Sequence, residues 1–111
     1  MNAAQIDRLL ASVPASTEER HHRRVLGYAT TARRIDARIS ALRGELERAL
    51  RAVDDAVADG RGEEAADEAL ALARELDSLE RVQPRVDSWL RVSIGSVVDD
   101  PGLEPFGEGP A

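Results

Sequence analysis

From Val25 onward the apolar residues recur in alternating steps of three and four, at Val25, Tyr28, Ala32, Ile35, Ile39, Leu42, Leu46, Ala49, Val53 and Ala56. This spacing holds one stripe on one side of an α-helix, as in the seam of a coiled coil. After Gly60-Arg61-Gly62 the same rhythm returns at Ala65, Ala69, Leu72, Leu76, Leu79, Gln83, Val86 and Leu90. If the chain folds back at the glycines, Ala56 meets Ala65, Val53 meets Ala69, Ala49 meets Leu72, Leu46 meets Leu76, Leu42 meets Leu79 and Ile39 meets Gln83. The register is the same at every step. The pattern predicts an all-α fold: a long antiparallel helical hairpin, coiled-coil-like, over residues 15–92.

Local signals mark the ends of these elements. Ile6, Leu9, Leu10 and Val13 stand at helical spacing and predict a short amphipathic helix within residues 1–14, closed by Pro14. Ser16 followed by Glu19 reads as a capping box, which starts the long helix near residue 17 and carries it to about residue 59. Pro84 removes an amide and crowds the carbonyl four residues before it, so a kink or restart is expected near Gln83. Gln83 is also the polar residue of the second stripe, and it is read as the place where the helices diverge. Tyr28, Trp89, Leu90 and the first helix are expected to gather at the open end. Beyond them the β-branched Val92, Ile94, Val97 and Val98 suggest extended backbone. Residues 93–111, acidic and rich in proline and glycine, are expected to form an extended C-terminal arm.

Composition narrows what such a fold can be. The 111 residues include one each of Trp, Tyr and Phe, so Leu, Val, Ile and Ala must do the packing. A thin seam follows, and it leaves Leu26, Leu50, Val57, Leu70 and Val82 outside it as a second apolar surface. Self-association or a helical protein partner is therefore expected. The chain has no cysteine, which excludes disulfides and thiolate metal sites. No apolar run approaches a membrane span, and the N-terminus lacks the basic-then-apolar order of a signal peptide. The expected location is the cytoplasm or a multi-subunit particle, with no membrane partner.

Charge is divided along the chain. Residues 1–51 carry ten arginines against six acids, and residues 52–111 carry five against fifteen. In a hairpin this opposes a basic helix to an acidic one, as flanking charges do in coiled coils. The overall acidity argues against a dedicated nucleic-acid binder.

Candidate chemistry is sparse. Glu18 with His21, and Glu19 with His22, have the Glu-x-x-His spacing that di-iron helical bundles use to set a carboxylate and an imidazole on one face. A metal site would need further carboxylates, and the acids at the turn lie far along the hairpin. The pattern thus reads first as a solvated helical turn, with no cofactor expected. Arg20, Arg23 and Arg24 could meet phosphate, yet no aromatic residue is interleaved with them for base stacking. Neither a nucleophilic triad nor a glycine-rich phosphate loop is present, so catalysis is not expected.

Two resemblances stand beside this reading. The helical hairpin resembles the small secreted substrates of type VII secretion, which carry Trp-x-Gly at the turn where this chain has Gly60-Arg61-Gly62. Ile94-Gly95-Ser96-Val97 resembles, over four residues, the Ile-Gly-Ser-Leu docking tags of encapsulin cargo proteins. Together with the Glu-x-x-His spacing, the second resemblance implies a ferritin-like metal-binding cargo protein of a protein shell. The residue pattern points instead to a non-enzymatic structural protein, an oligomerising hairpin whose arm docks on a neighbouring subunit through Ile94, Val97, Val98, Leu103 and Phe106. A virion or other multi-subunit particle is the setting in which a rod and an arm combine this way. An accessory nucleic-acid-binding protein is the remaining alternative.

Overall fold

A computed structural model describes residues 1–99. The described chain forms three helices: α1 (Ala3–Ala11), α2 (Glu19–Ala58) and α3 (Gly62–Asp99). α2 and α3, of 40 and 38 residues, pack closely as a helical hairpin. Every seam position named above is buried or half-buried, Gln83 included. The spacing of three and four therefore marks the face each helix turns toward its partner.

The turn follows from its glycines. Arg61 N–H donates to the Ala56 carbonyl at 2.9 Å and Gly60 N–H to the Val57 carbonyl at 3.2 Å, with Gly60 at φ 75°. That is a Schellman arrangement, in which the left-handed residue lets the last carbonyls of α2 find donors. Gly62 is required for a different reason. A Cβ there would stand 2.7 Å from Val57 Cγ2.

The chain divides into two compact units, one made of Met1–Asp36 with Gln83–Ala111 and the other of Ala37–Val82. In the first, Ile6, Val25, Ala29, Ala32, Val86, Leu90 and Ile94 form one buried cluster. Leu9, Leu10, Val13, Tyr28 and Ile35 pack against it. The Tyr28 and Trp89 rings stand 6.2 Å apart and tilted by 52°. α1 is fixed at its start by a reciprocal capping box, in which Gln5 N–H donates to Asn2 Oδ1 and Asn2 N–H donates to Gln5 Oε1, both at 2.9 Å. Arg33 of α2 holds Asp7. In the second unit the buried residues are Ile39, Leu42, Ala69 and Leu76. Arg38–Glu75 and Arg43–Glu80 ion pairs tie its two helical segments together.

Four expectations need correction. α2 is not started by a Ser16–Glu19 box. A turn closed by Thr17 N–H to the Pro14 carbonyl puts Ser16 ahead of the helix. The Glu18 carbonyl takes the first amides, His21 and His22, both at 3.0 Å, and Glu19 is bound by Arg23. Second, of the kink or restart expected near Gln83, the restart does not occur, because α3 is continuous through Pro84. Third, Gln83 does not mark divergence, because its Nε2 donates to Asp36 Oδ1 on α2 at 3.2 Å. Fourth, residues 93–99 are the last turns of α3, not part of an extended arm. Ile94 continues the steps of four from Val86 and Leu90 into the buried cluster, and that packing overrides β-branched propensity. The remainder of the expected arm lies outside the described residues.

Candidate functional site

The residues singled out by the sequence fall into separate places. Leu26, Leu50, Val57, Leu70 and Val82 are all large, apolar and between 42% and 62% exposed. Leu26 belongs to the first unit and the other four to the second. Leu50 and Val57 are seven residues apart on α2, two helical turns, and so share one side of it. Leu70 and Val82, twelve apart on α3, do not share a side.

The two Glu-x-x-His pairs have unlike fates. His21 is fully buried, with Nε2 3.9 Å from Glu18 Oε2, too far for a hydrogen bond. His22 is half-buried at the surface, and Glu19 is engaged by Arg23 at 2.7 Å. Among the described residues no three His, Cys, Asp or Glu side chains stand together as a metal site. The spacing put both histidines in one constellation, but on the helix their rings point into different surroundings.

The arginines proposed for phosphate contact are occupied locally. Arg20 Nε bonds Glu18 Oε2 at 3.1 Å, Arg23 bonds Glu19, and Arg24 is half-buried. Of the docking residues, Ile94 is buried in the core and is corrected from an arm residue to a packing one. Val98 is exposed at the end of α3. The Val97 side chain, Leu103 and Phe106 lie outside the described residues. The Ile94-Gly95-Ser96-Val97 stretch is thus helical, with its first side chain already committed to the core.

Two concavities were not legible in the sequence. A groove of ≈ 350 Å³ lies between the end of α1 and the first turns of α2. Leu10, Val13, Val25 and Leu26 line it with apolar side chains, and Glu19, His22 and Arg23 with polar ones. The other, of ≈ 400 Å³, is at the turn, lined by Asp55, Asp59, Glu64, Glu68 and Arg61 together with three alanines, Ala52, Ala56 and Ala65. The first unit also holds three buried polar side chains, Thr17, His21 and Ser93, and the half-buried Asp87, each with a buried atom lacking a hydrogen-bond partner. Asp87 is otherwise engaged, its Oδ2 accepting from the Met1 amino group.

Comparison with known proteins returns nothing. No protein-family model, curated protein or solved structure matches this chain. Its function has to be argued from its own surfaces. Arg38 is held above its ordinary pKa. Its hydrogen bonds to Glu75 raise its pKa against a smaller opposing effect of desolvation, with the charges of Glu75 and Glu45 adding to the rise. The arrangement serves to hold two helices together rather than to move a proton. Among the described residues no helix is long and apolar enough to cross a membrane.

Proposed function

We propose that this chain is a non-enzymatic assembly protein, an oligomerising helical hairpin that docks on a neighbouring subunit through its C-terminal arm. The setting is a virion or another multi-subunit particle. One observation carries the reading: Leu26, Leu50, Val57, Leu70 and Val82, apolar and outside the seam, remain largely exposed in the single chain. Apolar side chains scattered singly are ordinary on a protein surface. Leu50 and Val57, however, recur on one side of α2, where a further helix would lie. The arm of this reading is residues 100–111, with Leu103 and Phe106 as anchors between prolines and glycines.

Sedimentation across the micromolar range tests it. The full chain is expected to associate, and Leu50→Glu together with Val57→Glu is expected to shift it toward monomer with helicity unchanged. A protein that sediments as a folded monomer at every concentration would refute the reading.

A further inference from the structure

We propose, resting on the assembly reading above, that Arg85, Trp89 and Val92 on α3 of one copy dock against Leu50, Asp54 and Val57 on α2 of a second copy. Each set shares one side of its helix, because steps of four and three residues return to the same face. All six side chains are exposed, so neither face is spent within the single chain. There α2 and α3 meet through their seams, and these two faces are left to meet only between copies.

The faces are opposite in charge. Among the described residues neither the Arg85 nor the Asp54 side chain has an ion pair or hydrogen bond within the chain. Around Asp54, residues 52–60 hold Asp54, Asp55 and Asp59 with no basic residue. Around Arg85, residues 83–98 hold Arg85 and Arg91 against Asp87, whose carboxylate already accepts from the Met1 amino group. The same contrast holds for the units that carry the faces. Residues 37–82 have seven arginines against twelve acids, whereas residues 1–36 with 83–99 have eight against six. A second copy thus brings each face the charge it lacks, and charge of this kind sets partner and register more than affinity.

Spacing and shape agree with the charge. With the helices laid antiparallel and Arg85 opposite Asp54, Trp89, four residues on, falls opposite Leu50, four residues back. Trp89 is the anchor. Its ring stands 6.2 Å from Tyr28, yet 43% of the residue remains open to water, so a partner would find it already positioned. Residues 100–111 of the same chain have three acids and no basic residue, and they offer Asp54 no partner. A second copy covers both faces with one contact.

Trp89 is the single tryptophan, so its emission reports this face alone. The full chain is diluted across the micromolar range while sedimentation and tryptophan fluorescence are followed together. Emission is expected to move to longer wavelength as the protein dissociates, and Leu50→Glu should hold it there at every concentration. Arg85→Asp alone and Asp54→Arg alone should each weaken association about tenfold, since each sets like charges face to face, with helicity unchanged. Mixed in equal amounts, the two variants should associate again, because each then meets opposite charge on the other. Dissociation without a change in emission, or no recovery on mixing, overturns the contact while the assembly reading stands. Emission indifferent to dilution but shifted by Phe106→Asp makes residues 100–111 of the same chain the cover of Trp89, and overturns it too. Protein that is monomeric throughout removes the contact and the assembly reading together.

Discussion

Arg38 on α2 forks onto Glu75 on α3, its Nη2 lying 3.1 and 3.0 Å from the two carboxylate oxygens and its Nε 3.2 Å from one of them. The planar guanidinium matches the carboxylate, so the pair fixes geometry as well as charge. Both side chains are well exposed, and solvent and salt screen such pairs. A double-mutant cycle with Arg38→Gln and Glu75→Gln should therefore give a small favourable coupling that shrinks as salt is raised. The raised pKa of Arg38 adds stability below the unfolded value and loses it only as pH climbs through the folded one. That window is strongly alkaline, so a pH titration of stability between pH 5 and pH 9, followed by circular dichroism, should be unchanged by Glu75→Gln in its arginine-dependent part.

The glycines divide into two kinds, and thermal unfolding should separate them. A Cβ at Gly27 meets nothing within 4 Å, and one at Gly44 meets only the flexible end of Arg48. Gly27→Ala and Gly44→Ala should each stabilise the protein, by up to about 1 kcal/mol, through helix propensity. Gly62→Ala should destabilise it by about 1–3 kcal/mol, because the new methyl would overlap the β-branched Val57. Adding Val57→Ala to Gly62→Ala should recover most of the loss.

Ile94 tests where α3 ends. If it is a core residue, Ile94→Ala should cost about 2–5 kcal/mol in denaturant unfolding, as buried deletions do. Val98→Ala, on an exposed side chain, should fall within about 0.5 kcal/mol of the parent protein. Equal and negligible effects would mean that the last turns of α3 contribute no packing.

His21 and Ser93 are fully buried with polar atoms that lack hydrogen-bond partners. Burying such groups without partners costs about 1–3 kcal/mol each. His21→Leu and Ser93→Ala should accordingly hold or raise the unfolding midpoint, whereas the same changes at hydrogen-bonded positions would lower it. Buried polar positions of this sort are candidates for a role other than stability. Association measured on His21→Leu would show whether assembly depends on the ring.

The seam was legible because period and burial report the same thing: Leu42, Leu76 and Leu90 are apolar at the positions where α2 and α3 face each other. Ala29 lies beside the stripe, and its burial is not legible from the spacing because its cluster also takes in Ile6 of α1. Spacing shows which face of a helix is apolar but not how many neighbours that face will have. The same limit hid the groove. Leu10 and Val13 were visible as one amphipathic face and Leu26 as an apolar residue off the seam, but their meeting depends on how α1 folds back over α2. Pro84 starts no new helix because one lost hydrogen bond weakens a long packed helix without ending it. At Val92 to Val98, local preference for extended backbone lost to the anchoring of Ile94.

The alanine-rich stretch on either side of the turn sets where the molecule lets go first. Ala49, Val53, Ala56 and Ala65 are only half-buried there, and between Leu46 and Glu68 no side chain is fully shielded. Amide deuterons should enter at this bend long before they reach the amides around Val25 and Leu90, since local opening costs least where few apolar contacts break. The hairpin is thus built to unzip from its tip, keeping the end that carries α1 closed until last.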